Sequence, residues 1–421
     1  MTFDLKASAA LLLAVIFFGT QGPAQVRPNL SGGDPTDTQL IAKKLYERLV
    51  STKISLDDPI LAQMTALLEK GDKLGAARIA TADPNFYNTT VKTMALEMSN
   101  RDETIKVPLN DMVATIIGIT RDKLDARSML TGNFYYRAPS TVGSTLLSVD
   151  MRTGFMYAND HYQALDNYRI DLMKNLYRVN SQPLVIGDGT TDVIIGENPD
   201  YAGVLTSRNF MVEHATGGTN RRIVEYAFRE FLCVPINQWA DSGASDARVG
   251  RDVNRFPGGD HNKYLTTCKA CHSVMDGFRG AFALWTAGSG VVGNSQAIPN
   301  ADQLPGPKYS RNFKVFPDGY VTVDNSFVNF ANRPANASLF GWRGDNTTSG
   351  NGAKDFGKLL ANSRRFSQCM AKRVYKTVCK KPLPADKEKD LLSTWGDEFE
   401  ASGYMLKNLF ESISVKPECL G

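Results

Sequence analysis

Apolar positions recur at helical spacing through the first third of the chain and again near its end, and the middle breaks the pattern. In Thr36-Asp37-Thr38-Gln39 a hydroxyl can cap a helix while Gln39 reaches back, and Leu40, Ile41, Leu45 and Leu49 follow at intervals of three and four. Asp58-Pro59 opens a second helix that carries Leu61, Met64, Leu67 and Leu68 and stops at Gly71. Two more are expected over 89–98 and 110–119. From 130 to 220 Gly, Asn, Asp and Thr interrupt every apolar run, and the clearest, 184–186 and 193–195, are short. This stretch reads as helices joined by long loops.

Helical spacing returns over 221–233 with Ile223, Tyr226, Ala227 and Phe231, followed by a loop holding Pro235, Pro257, Gly258 and Gly259. Residues 286–350 are rich in Gly, Asn, Ser and Pro, and Asp318-Gly319 suggests a hairpin within 313–323. The final segment, 356–410, reads as two helices split by Pro382 and Pro384. The expected fold class is mainly α.

A chain of 421 residues exceeds one typical core, so two or three domains are expected. At the N-terminus Lys6, an apolar run over 7–18 and a small-residue stretch over 19–24 read as a secretory signal, cleaved after Ala24. The alternative is a retained anchor, against which the run falls short of the ~20 residues that span a bilayer. A linker over 25–35, a helical domain of unknown role over 36–200, a second domain over 201–350 and a small helical domain over 351–421 complete the expected order. No other run is long enough to cross a membrane, so no membrane span is expected in the mature protein. A formal charge of +4 gives no argument for nucleic acid. The expected address is periplasmic or otherwise exported, where cysteines oxidise.

Within 201–350 stands Cys268-Lys269-Ala270-Cys271-His272, the C-x-x-C-H pattern of haem attachment. Two thiols three residues apart can add to the two vinyl groups on one haem edge, while the adjacent imidazole turns onto the iron. Zinc needs a second ligand pair, and no other C-x-x-C or H-x-x-x-H occurs. A redox dithiol needs a thioredoxin-like setting that the surrounding pattern does not offer. The reading is one covalent haem c on Cys268 and Cys271, with His272 as proximal iron ligand, which makes 201–350 a haem c domain.

Cys233, Cys369, Cys379 and Cys419 remain, an even number that suits two disulfides. Cys379 and Cys419 flank the last helical segment, so their bridge would close a helical hairpin and leave Cys233 to pair with Cys369. Three connectivities stay open at this point.

With those residues in view, the C-terminal half resembles the planctomycete and myxobacterial type of cytochrome c domain, haem-containing proteins of unknown function. The matching stretches are Ala202-Gly203-Val204-Leu205-Thr206, Arg221-Arg222, Phe231-Leu232-Cys233-Val234-Pro235, and the haem motif with Met275-Asp276 behind it. Phe366, Cys369, Phe399, Ser402-Gly403-Tyr404 and Leu409 continue the order. The resemblance implies a mostly helical haem domain with a small helical domain packed nearby. The chain departs from the family's Met-Asp-Pro in having Gly277, and it lacks the acidic run that commonly follows.

A haem that only carries electrons usually has two protein ligands, whereas one that activates a small molecule keeps a position open. Candidates for the second ligand are His261, His214, His161, Met275, Met370 and Met405, with His261 favoured because it precedes Cys268 by seven residues on a Gly-rich loop. Residues 278–285, mainly small and aromatic, suit a wall for haem burial. Three functions stay open: electron transfer between exported redox partners, a peroxidase-like enzyme with open iron, and a structural haem protein of the envelope. No catalytic residue is assigned.

Overall fold

The computed structural model describes residues 36–147, 159–186, 193–215, 219–283, 285–288, 291–294, 316 and 319–420. The expected signal and linker, 1–35, lie outside them. The fold is mainly helical, as expected.

The first helix forms over Asp37–Val50 and buries Ala42, Leu45, Tyr46, Leu49 and Val50. Leu40 and Ile41, expected on its inner face, are exposed, and the Gln39 amide donates to the Leu56 carbonyl at 2.9 Å, across to the next connection. The second helix, Pro59–Glu69, starts as its chemistry dictates: Asp58 accepts from the Ile60 amide, Pro59 occupies the first turn, and Gly71 follows the end at φ 79°. The expected helix over 89–98 begins as a π-helical turn, Phe86–Val91, and continues as Lys92–Met98. Asn110 caps Asp111–Arg121 by accepting from the Val113 amide, and that helix is buried along almost its whole length.

The middle of the chain departs from expectation. Tyr135–Arg137 pairs antiparallel with Tyr177–Val179, and the two short apolar runs become paired strands, Pro183–Ile186 with Val193–Glu197. Runs of four or five residues rich in Val and Ile are too short for a stable helix but fit a strand ladder. Further on, Trp285–Gly288 pairs with Val291–Asn294 and Ser326–Val328 with Ser349–Asn351. Most of the hairpin expected within 313–323 lies outside the described residues; at its far end Tyr320 makes one parallel bridge to Gly250. The C-terminal segment holds more than two helices: Gly352–Ala361, Arg364–Cys379, Glu388–Ala401, Leu406–Ser414 and Pro417–Leu420. Pro382 and Pro384 do fall in a break, but additional breaks come where Gly403 and Tyr404 adopt left-handed backbone and where Ser363 caps a new helix through the Arg365 amide.

From Asp37 onward the described residues form one compact unit, and its apolar core is continuous across positions 200 and 350. The short helix Ser128–Thr131 shows how tightly the regions meet. A Cβ at Gly203 would stand 2.0 Å from the Met129 carbonyl oxygen, and one at Gly357 would stand 2.1 Å from that of Leu130. Phe86 meets Phe410 edge on, with ring centroids 5.2 Å apart, and Thr81 donates to Glu411 at 2.8 Å, so the N-terminal region and helix Leu406–Ser414 share one interior. Cys233 bridges to Cys369 and Cys379 to Cys419, the pairing favoured from the sequence. Among the described residues no helix is long and apolar enough to cross a membrane.

Candidate haem attachment site

The site is built on one helical run. Asp260 accepts from the Asn262 amide and starts His261–Lys263, a π-helical turn follows over Tyr264–Cys268, and Lys269–Met275 carries the rest of the motif. Wide π turns inserted in α-helix shift the phase of the residues beyond them and often mark functional sites. Here the turn ends on Cys268. Helix Arg221–Leu232 lies against this run, held by a core in which the Phe228 ring stacks on Trp239 at 4.2 Å and meets Phe278 at 5.3 Å. The Asp241 amide donates to the Ala270 carbonyl at 2.9 Å and ties the following loop to the motif.

Cys268 and Cys271 are both unpaired and partly exposed, in contrast to the other four cysteines. Cys268 packs against the small cluster of Val249, Val253 and Tyr264. Burial pushes the Cys271 thiol up, with the Glu225 carboxylate adding to the effect. The His272 side chain is 24% exposed and uses Nδ1, 3.3 Å from Asp276 Oδ1, leaving Nε2 free for a ligand. Leu265, three residues before Cys268, and Phe256, whose ring packs on His261, are large apolar side chains that remain exposed. Two unpaired thiols and an available imidazole nitrogen fit the donor set of a haem. Among the described residues no cluster of three or more His, Cys, Asp and Glu is arranged for a metal ion.

Behind His272 lies a buried charge cluster. Arg221 donates from Nε to Asp276 Oδ1 and from Nη2 to Asp276 Oδ2, each at 2.6 Å, and from Nη2 to Asp252 at 3.0 Å. The Gly250 amide adds a bond of 3.0 Å to Asp276 Oδ2, and Arg279 stands 3.6 Å from the same oxygen. Although burial alone would raise it, hydrogen bonds from Arg221 and His272 and the charges of both arginines hold the Asp276 carboxyl well below the usual carboxylate range. Two carboxylates and two guanidinium groups balance, which is how a buried cluster of charges is tolerated.

Each second-ligand candidate sits in surroundings of its own. His261 opens the helical run instead of riding a loop; its Nδ1 donates to the Arg255 carbonyl at 2.8 Å. Eleven residues separate it from His272 on that run, about 16 Å of helical rise. His161 is buried near Tyr162, accepting from the Ala138 amide at 3.2 Å. His214 is buried against Tyr226 and Phe210, with Arg101, Arg222 and Arg229 as its charged surroundings. Met370 is fully buried within Arg364–Cys379, Met275 packs at the end of the motif helix, and Met405 Sδ accepts from Asn408 at 3.5 Å. The expected aromatic wall also turns elsewhere, since Phe278 faces Trp239, Phe327 and Phe356 in the protein core.

Gly277, where the resembled family has Pro, has a local reason. A Cβ there would stand 2.4 Å from the Val328 carbonyl oxygen and 2.8 Å from the Phe330 ring. The residues that sequence reasoning missed are Arg221, Asp252 and Arg279 as a cluster, and Asp276 as the partner of His272. The i, i+4 spacing of His272 and Asp276 was the available signal. Comparison with family models, curated proteins and solved structures finds no match to this chain.

Proposed function

We propose that the chain is an exported c-type cytochrome that holds one covalent haem and passes electrons between redox partners of the cell envelope. The observation that carries the reading is the selective pairing of cysteines: four are joined in two disulfides, whereas the two of C-x-x-C-H stand unpaired beside an imidazole with a free nitrogen. Each thiol would add across one vinyl group, the sulfur forming a bond to one carbon and the proton going to its neighbour. His272 would ligate through Nε2. Bound haem would supply a one-electron carrier. Two disulfides support an oxidising compartment. Kinship with the planctomycete and myxobacterial type of cytochrome c domain belongs to the same proposal, supported by the ordered stretches from Ala202 to Leu409.

The test is acid-acetone extraction of the full-length protein matured with the export-side attachment machinery. Colour retained on the polypeptide, and weakened by Cys268→Ser or Cys271→Ser, is the expected result; a colourless chain overturns the reading. A second reading, small-molecule chemistry at an open iron, is favoured by the Asp276 carboxylate behind the proximal imidazole, because such a partner raises ligand basicity. Rapid carbon monoxide binding by the ferrous protein together with peroxidase turnover would establish it over electron transfer.

A further inference from the structure

We propose that Asp276 is a positioning residue that accepts the hydrogen bond from His272 Nδ1–H, turns Nε2 to the iron and makes the imidazole a more electron-donating ligand. This rests on the haem reading above. The argument begins with the acceptor. An ionised carboxylate only accepts, so the nitrogen facing it must carry the proton. With Nδ1 3.3 Å from Asp276 Oδ1, the neutral ring has its lone pair on Nε2, the nitrogen that has no partner among the described residues.

The acceptor is itself fixed. Asp276 follows directly on the motif helix, its amide donating to the His272 carbonyl, so backbone and side chain both couple the two residues one turn apart. Arg221 binds both carboxylate oxygens and the Gly250 amide binds one, which leaves the group no rotational freedom. The Asp276 side chain has no solvent exposure, so water does not compete for the imidazole proton. A histidine whose far nitrogen donates to a held carboxylate is oriented and made more basic than one donating to a backbone carbonyl. Greater basicity favours ferric over ferrous iron.

Asp252 provides the control. It belongs to the same cluster, contacts Arg221 and Arg279, and has no bond to His272. Matured full-length protein would be compared with Asp276→Asn and Asp252→Asn by redox titration and by the iron–histidine stretching vibration after photolysis of the ferrous carbon monoxide complex. Asp276→Asn should shift the ferric-ferrous equilibrium toward ferrous about tenfold, which is ~59 mV for one electron, and lower the stretching frequency. Asp252→Asn should leave that frequency in place.

An unchanged frequency in Asp276→Asn, or an equal change in Asp252→Asn, would overturn the proposal while leaving a coloured protein and the haem reading intact. Should Asp276→Asn fail to fold, the unmutated protein decides. A stretch no higher than that of a c-type cytochrome with a carbonyl-bonded proximal histidine counts against Asp276, and a higher one supports it. A chain that retains no colour after extraction overturns both readings.

Discussion

Arg221 grips Asp276 at two points, Nε on Oδ1 and Nη2 on Oδ2, both at 2.6 Å, in an interior that leaves the carboxylate no solvent. Removing one partner of such a pair strands the other's charge. Arg221→Met should therefore cost about 3–5 kcal/mol of stability, more than a surface ion pair is worth. Urea denaturation would measure it, and a loss below 1 kcal/mol would mean that Arg279 and Gly250 hold Asp276 unaided.

The Cys379–Cys419 bridge closes a loop of 40 residues and joins the end of helix Arg364–Cys379 to the last helix. Loop-closure entropy assigns such a crosslink about 4 kcal/mol. A Cys379→Ala, Cys419→Ala double variant should lose up to that amount while leaving Cys268 and Cys271 unpaired. Non-reducing peptide mapping should recover this pair and Cys233–Cys369.

Acid should destabilise the fold through its buried histidines. Burial, with Arg101, Arg222 and Arg229 nearby, lowers His214 to about 3, and burial together with Arg137 lowers His161 to about 4, against an ordinary value near 6.5. The unfolded chain binds these protons first, so the stability is present above pH ~6.5 and is lost as pH falls toward the folded-state values. His214 alone should remove about 2 kcal/mol between pH 7 and pH 5. Denaturation midpoints at the two pH values would show it, and His214→Phe, which keeps a ring against Tyr226, should flatten the dependence.

His261→Ala should leave the ferric absorption spectrum of the haem-loaded protein unchanged. The residue shares one helical run with His272, and its Nδ1 already serves the Arg255 carbonyl. A change from low to high spin on this substitution would show that the run breaks and that His261 reaches the iron.

Local chemistry was legible where it is short in range. Asp58-Pro59 with Gly71, the helix over 110–119 and the helix at Arg221 follow from residues within one or two turns of each other. The middle strands were missed because apolar runs of three residues are decided by partners across the ladder, such as the Ile186 to Val193 pairing. Exposure of Leu40 and Ile41 was missed because the buried face of the first helix is chosen by what packs on it.

The sequence by itself determined the C-x-x-C-H string on which the proposed haem attachment rests, since it lies within five consecutive residues, and the mainly helical class, since that follows from periodicity. Only the tertiary structure decided what stands behind His272. Arg221, Gly250, Asp252, Asp276 and Arg279 come from three separate stretches of chain, and a charge cluster is tolerated in the interior only when folding brings opposite charges within hydrogen-bonding distance. It also decided that His261 belongs to the motif's own helical run, because whether a loop wraps or a helix extends depends on the long-range packing of Tyr264 against Val249 and Val253.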